Sequence, residues 1–292
     1  MLLETDRLTK DYGRFRALES LTLSIGRGEI FGLLGPNGSG KSTTIRLLLG
    51  FLRPTSGSAR IAGFDCWSQS VEVRRQVAYL PGELRLYENM TGRQLLRFLS
   101  RLHDQPLDGE ADRLAKRFEI DLSKPISSLS SGMKRKLALI QVLLPRVPLV
   151  ILDEPTNTLD PVMRDELLDQ LLHAKAEGKT VLFSSHVLPE VERVCDRIGI
   201  LARGRLVHLQ PMSELRQIRA ARVRFAPGSK PTTPPRLDGI QLKEQQDGAM
   251  TFVCEGNLDP LLGWLAQHRV VDLRIEPIGL STVYQRYHGT AS

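Results

Sequence analysis

The chain has 292 residues, of which 41% are hydrophobic and 25% charged, with a formal net charge of +7. Such a length supports one large domain and a small one, and such a composition excludes disordered and fibrous classes. No apolar run approaches the roughly 18 residues needed to cross a bilayer; the richest stretch, Leu137 to Leu152, is broken by Gln141, Pro145, Arg146 and Pro148. Glu4, Asp6 and Arg7 leave the N-terminus without the apolar core of a signal peptide, so the expected location is cytoplasmic. Cys66, Cys195 and Cys254 are far apart and form no CxxC pattern, which predicts reduced thiols and neither disulfides nor a metal site. The arginines are scattered with no long basic run, so the excess charge reads as a solvated surface with a mild bias toward membrane headgroups.

In chain order, Glu29 to Leu34 is a short apolar strand, followed by a glycine-rich turn and a helix from about Lys41 to Gly50. Thr91 and Gln94 fit a capping box, and Leu95, Leu96, Leu99 and Leu102 make one apolar face of the helix that follows. The region from about Glu83 to Pro145 has helical periodicity and little strand character, which predicts a helical subdomain inserted into an α/β core. Leu149 to Leu152 suits a buried parallel strand. Asp160-Pro161 starts the next helix, with the acid as cap and proline at the first helical position. Lys179 to Phe183 and Ile198 to Ala202 are further buried strands, and strands separated by helices imply a mostly parallel sheet. Pro227 to Arg236 carries turn and linker chemistry. Beyond it, Thr251 to Cys254 and Val270 to Ile275 read as strands. Leu258, Leu261, Leu262 and Leu265 line one helix face, and Leu280, Val283, Tyr284 and Tyr287 another, in a small α+β appendage.

Gly35-Pro36-Asn37-Gly38-Ser39-Gly40-Lys41-Ser42-Thr43 matches GxxxxGK[ST] between a strand and a helix. The glycines let the backbone bend so that several N–H groups point at phosphate oxygens. The following helix presents its positive end to the same anion. Lys41 reaches the β- and γ-phosphates, and the Ser42 hydroxyl can ligate Mg²⁺. About 110 residues further on, the apolar strand Leu149-Val150-Ile151-Leu152 ends in Asp153-Glu154. Side chains at the carboxyl end of a parallel strand face the ligand crevice. Asp153 can hold Mg²⁺ through a water, and Glu154 can polarise the water that attacks the γ-phosphate. Cradle and acidic strand together leave many P-loop families open.

Leu129-Ser130-Ser131-Gly132-Met133 opens a helix shortly before Asp153. It resembles the LSGGQ signature of ABC ATPases, with Ser131 beside the glycine and Met133 in place of glutamine. Tyr12 before the cradle, Thr158-Leu159-Asp160 after the acidic strand and His186 after the next strand fall in the order of that family, and the resemblance covers about residues 1–220. It implies that Tyr12 stacks on the adenine of ATP and that Ser130 and Gly132 contact the γ-phosphate held by a second copy. It also implies that Asp160 lies at the dimer seam and that His186 reaches the γ-phosphate. The family's glutamine after the strand containing Tyr79 and Leu80 is missing, because the run here is Pro81-Gly82-Glu83. Glu83 is not assigned as its replacement, since an acid beside phosphate repels it unless Mg²⁺ lies between them.

The run Leu86-Tyr87-Glu88-Asn89-Met90-Thr91 and the C-terminal appendage resemble the nucleotide-binding subunits of bacterial drug and antibiotic exporters. The fold this implies is an α/β P-loop NTPase core of the ABC ATPase type. Its expected division is a nucleotide-binding domain at 1–220 with the helical subdomain at about 83–145, a linker at 221–236, and a small α+β domain at 237–292. The implied activity is ATP hydrolysis with Mg²⁺, coupled to transport by a separate multi-span membrane permease. The partners are that permease and a second copy of the chain, the place is the cytoplasmic face of the membrane, and no nucleic acid is expected. A soluble ABC ATPase acting on ribosomes or DNA is the alternative, but those relatives tend to carry two ATPase cores or a long coiled coil. A P-loop kinase or ATP-gated switch is the third reading, against which the signature and His186 argue.

Overall fold

In the computed structural model, residues 1–102, 109–228, 237–246, 248–277 and 279–288 are described. They form two compact units, Met1–Leu209 and Gln210–Ser292.

The first unit opens with strands β1 (Leu3–Tyr12) and β2 (Phe15–Ile25), joined by a tight hairpin at Gly13. Next come β3 (Ile30–Leu34), helix α1 (Lys41–Leu48), β4 (Ser56–Ile61), β5 (Phe64–Asp65), α2 (Ser70–Arg75) and β6 (Val77–Leu80). The first sheet has the order β2-β1-β4-β5 and is antiparallel. The alternating pattern of Leu3, Thr5, Leu21 and Leu23 buries one face of it. The expectation of a mostly parallel sheet did not include this layer. Its strands carry many polar residues on the solvent side, which masks the alternation in the sequence.

Helices α3 (Gly92–Leu102), α4 (Glu110–Arg117) and α5 (Ser131–Leu143) occupy the expected helical region, with a 3-10 turn at Ile126–Ser128. The capping box is present: the Thr91 N–H donates to Gln94 Oε1 at 2.8 Å, and the Gln94 N–H donates to Thr91 Oγ1 at 3.2 Å. Leu95 and Leu96 are buried beneath it.

The chain then returns to the core through β7 (Leu149–Asp153), α6 (Pro161–Ala176), β8 (Thr180–Ser185), α7 (Leu188–Val194), β9 (Arg197–Ala202) and β10 (Arg205–Pro211). The second sheet has the order β10-β9-β3-β8-β7-β6, with β9, β3, β8, β7 and β6 parallel. Its inner strands are apolar on both faces, as burial between two layers requires. The hairpin to β10 turns at Arg203 and Gly204, both at positive φ. A core of Leu3, Leu21, Phe31, Leu33, Ile45, Leu48, Ile61, Ile151, Leu182 and Leu201 joins both sheets and α1.

The second unit begins with α8 (Met212–Gln217) and continues through β11 (Ile218–Phe225), β12 (Ile240–Gln246), β13 (Ala249–Glu255), α9 (Asp259–Leu265), β14 (Val270–Pro277) and α10 (Leu280–His288). Its antiparallel sheet runs β12-β13-β11-β14. The unit therefore starts earlier than expected. Residues 221–225, assigned to the linker, belong to a central strand, where Ala221, Val223 and Phe225 point into the core. Residues 229–236 of the expected linker lie outside the described residues. The apolar face of α9 is Leu261, Trp264 and Leu265, with Leu262 exposed, because Trp264 sits between Phe225 and Phe252 at ring spacings of 6.0 and 5.8 Å. On α10, Leu280 is buried, Val283 and Tyr284 are half-buried and Tyr287 is exposed.

Candidate nucleotide-binding site

Strands β7, β8 and β3 are neighbours in the parallel sheet, so their carboxyl ends bring Asp153-Glu154, Ser184-Ser185-His186 and Gly35 to one edge. From Gly35 the chain turns through an open loop into α1. Gly35 has φ +154°, and a Cβ there would lie 2.3 Å from Ser39 Oγ and 2.5 Å from the Leu201 carbonyl. Gly40, at φ +109°, immediately precedes α1, and a Cβ there would meet the Ala17 carbonyl at 2.9 Å. Only glycine fits either place. No side chain caps α1, so its first N–H groups remain available to an anion. Ser39 Oγ is buried in the same loop without a hydrogen-bond partner. That orphaned hydroxyl, the glycine turn and the helix start together fit a phosphate group. Pro36, Asn37, Gly38 and Ser42 are exposed around the loop and Thr43 is half-buried.

Lys41 is buried, and its Nζ donates to the Gly35 carbonyl at 2.6 Å and the Pro36 carbonyl at 3.3 Å. It also lies 3.2 Å from Glu154 Oε1. The other Glu154 oxygen, Oε2, is 2.6 Å from His186 Nδ1. The three residues thus stand in a row: ammonium, carboxylate, imidazole. Glu154 sits at φ +50°, a left-handed conformation that costs a non-glycine residue roughly 1–2 kcal/mol. Its N–H is held by Ser184 Oγ at 3.0 Å. The Ser184 hydroxyl in turn donates to Asp153 Oδ1 at 2.7 Å.

Asp153 is buried. A Cβ at position 82 would lie 3.8 Å from Asp153 Oδ2, so Gly82 and not Glu83 faces the acid; Glu83 is exposed. The carboxylate of Asp153 and the hydroxyl of Ser42 are hard oxygen donors of the kind Mg²⁺ takes alongside phosphate. Among the described residues there is no cluster of three or more His, Cys, Asp or Glu side chains that could hold a metal by itself.

The remaining expected residues sit further out. Tyr12 is exposed at the tip of the β1–β2 hairpin, with Lys10 Nζ 5.2 Å from its ring centroid. Ser130 caps α5, its Oγ accepting the Met133 N–H at 3.3 Å. Gly132 leaves room for the turn after Glu154: a Cβ there would lie 3.5 Å from the Thr158 carbonyl. Asp160 caps α6 by accepting the Met163 N–H at 3.0 Å.

Three groups at the site were missed in the sequence. Ser184 is one; nothing marks it out in an apolar strand. Buried Glu190 is another. It accepts from Thr156 Oγ1 at 3.0 Å and Ser185 Oγ at 3.3 Å, joining the turn after Glu154 to the strand before His186. Burial raises its pKa, against the opposing pull of those bonds and of Arg164. Arg135 is the third, buried within Lys134-Arg135-Lys136. That run looks like a solvated basic face, but position 135 lies at i−4 and i−7 from buried Leu139 and Val142 on the same helix.

A parallel sheet that carries a glycine phosphate cradle and two acids at the carboxyl end of a neighbouring strand defines a P-loop nucleotide-binding protein. The family model described as ABC transporter matches residues 18–157. The probable multidrug ABC transporter ATP-binding protein YbhF of Escherichia coli is 37% identical over 70% of the chain, but the match takes in only 36% of that relative's length. The bacitracin transport ATP-binding protein BcrA of Bacillus licheniformis is 34% identical over 74% of the chain and 72% of its own. A solved ATP-binding subunit of an ABC transporter superposes with a TM-score of 0.69 at 35% identity, covering 74% of this chain and 92% of that one. The chain belongs to the ABC transporter family, among its ATP-binding proteins.

Proposed function

We propose that this chain binds and hydrolyses ATP as the motor subunit of an ABC exporter, working as a pair of copies beneath a separate membrane-spanning permease. The observation that carries this is the row Lys41–Glu154–His186, with spacings of 3.2 and 2.6 Å at the carboxyl ends of adjacent parallel strands.

The mechanism follows from what each group can exchange. Lys41 is held by two loop carbonyls and Glu154, and incoming phosphate oxygens are better partners for an ammonium than neutral carbonyls are. As Lys41 turns to the phosphates it releases Glu154. The freed carboxylate then accepts a hydrogen bond from water and orients it toward the γ-phosphate. His186 keeps Glu154 in place by donating Nδ1–H, and donating to the phosphate as well takes a second proton, on Nε2. Ser42 and Asp153 would hold Mg²⁺, which when bound supplies positive charge that offsets the developing negative charge on the phosphates.

Ser130 and Gly132 complete the nucleotide site of the second copy, and Asp160 lies at the seam; the exposure of Ser130 and Asp160 supports that reading. Tyr12, exposed at its hairpin tip, stacks on adenine. Among the described residues no helix is long and apolar enough to cross a membrane, which fits a permease supplied by another chain. The multidrug and bacitracin names of the relatives support export as the direction.

The test pairs nucleotide binding with mass in solution. Lys41→Ala should lose ATP affinity, and Glu154→Gln should form a stable ATP-dependent dimer detected by light scattering. Membranes of the producing cell should yield a multi-span protein that co-purifies with the chain. Normal ATP turnover by a strictly monomeric protein would overturn the proposal.

A further inference from the structure

Arg135 lies on α5, five residues after the Ser130 cap, and its side chain is buried. Among the described residues it meets no carboxylate oxygen within hydrogen-bonding range. Instead its guanidinium is saturated by backbone carbonyls from two other segments. Nε donates to Pro155 at 3.0 Å. Nη1 donates to Pro81 at 2.9 Å and Gly82 at 3.1 Å. Nη2 donates to Asp153 at 3.3 Å and to Glu154. An arginine has five N–H groups, and here each has a carbonyl. Burial lowers the pKa of Arg135, while the charges of Asp153 and Glu154 partly offset that effect.

A buried cation costs free energy that a plain structural position would avoid with an apolar residue. The shape of the network indicates what it does. Glu154 is in a left-handed conformation that holds only if its surroundings over-determine it. Its N–H is held by Ser184, and its carbonyl is held by Arg135. The same guanidinium holds Pro81 and Gly82, which begin the segment leading from β6 into the helical region. It is carried on the helix that begins at the signature turn. One planar group therefore ties three separate parts of the proposed machine to each other.

We infer that Arg135 is a positioning residue that makes the placement of Glu154 depend on the signature helix and on the Pro81–Gly82 segment. A signature turn engaged on the second copy's nucleotide would then set the carboxylate of its own site, and the two sites would fire cooperatively. This rests on the function proposed above. Lysine cannot replace the fork, since its ammonium has three donors on one atom and no planar shape.

The experiment compares Arg135→Ala, Arg135→Gln and Arg135→Lys with wild type and with Lys41→Ala. Four quantities are measured: ATP affinity with a fluorescent ATP analogue, kcat, the Hill coefficient of hydrolysis against ATP, and the melting temperature. Misplacement of a reacting group by about 1 Å costs about 100-fold in rate. Arg135→Ala and Arg135→Gln should therefore lose about 10- to 100-fold in kcat, with ATP affinity held within about twofold because the Lys41 cradle is untouched. The Hill coefficient should fall toward about 1 from a wild-type value approaching the two sites of a dimer. Arg135→Lys should recover part of kcat and little of the cooperativity, and it serves if the other variants fail to fold.

Unchanged kcat and Hill coefficient in Arg135→Gln or Arg135→Lys would overturn the inference. So would a loss of kcat matched by equal losses of affinity and melting temperature, which is the signature of a purely structural arginine. Wild-type hydrolysis without cooperativity would overturn it too. If Lys41→Ala abolishes binding while the Arg135 variants behave as wild type, only the inference fails. If Lys41→Ala also binds normally, the proposed function fails with it.

Discussion

Replacing Glu154 by glutamine should tighten ATP binding while stopping turnover. The substitution keeps the shape of the side chain and removes its charge. Glu154 Oε1 is 3.2 Å from Lys41 Nζ, with the two side chains 14% and 6% exposed. At an effective dielectric constant of about 20, unit charges at that spacing attract by ~5 kcal/mol. Desolvation of two buried ions takes back most of this, leaving a net of about 1 kcal/mol. The three N–H groups of Lys41 are shared among Gly35, Pro36 and Glu154, so phosphate must displace at least one of these partners, and in the proposed mechanism that partner is Glu154. Without the pair, binding costs about 1 kcal/mol less, or about fivefold in affinity. Loss of a negative charge beside the phosphates acts in the same direction. Equilibrium titration with ATP, alongside phosphate release, measures both effects. Turnover should fall at least ~100-fold, the usual contribution of a positioned base. Weaker ATP binding than wild type, or turnover within about threefold of it, would refute the reasoning.

His186→Ala removes the 2.6 Å contact to Glu154 from a half-exposed side chain. It should lower kcat by about 100-fold and leave both ATP affinity and melting temperature near wild type, as steady-state kinetics and thermal unfolding will report. Gly35→Ala would place a methyl group 2.3 Å from Ser39 Oγ and 2.5 Å from the Leu201 carbonyl, at φ +154°. The loop must shift, so urea unfolding should show a loss of about 2–3 kcal/mol, and ATP titration should show no binding. Trp264→Ala removes a buried ring packed against Phe225, Phe252 and His268 in the second unit. It should destabilise that unit by about 3–5 kcal/mol while ATP affinity, which belongs to the first unit, stays unchanged.

Much of the site was legible because its chemistry demands particular residue types in a particular order. A backbone that wraps phosphate needs glycine at Gly35 and Gly40, and a cation and a hydroxyl next to them at Lys41 and Ser42. A buried parallel strand must be apolar until it reaches the ligand crevice, so Asp153 and Glu154 stand out against Leu149 to Leu152. The helix caps at Thr91 and Asp160 were visible for the same reason: a local hydrogen bond needs a local partner. The antiparallel layer of β1, β2, β4 and β5 was harder to see, because its solvent face is rich in polar residues. The start of the second unit was misplaced because β11 carries Arg219, Arg222 and Arg224 among its apolar residues, which masks a central strand.

The sequence by itself therefore determined the phosphate cradle, the acidic strand end, the capped helices and the parallel core, since each is written in residues near one another in the chain. Only the tertiary structure decided which distant groups meet. The strand order β3-β8-β7 brings Lys41, Glu154 and His186 into one row, although Lys41 lies more than a hundred residues before the other two along the chain. It also turns Arg135 from one member of a basic run into a buried fork that grips Pro81, Gly82 and Asp153 through Pro155. Local patterns record what a segment can do with its own neighbours. The partners of a buried charge are set by which segments pack around it, and no single stretch of sequence contains that information.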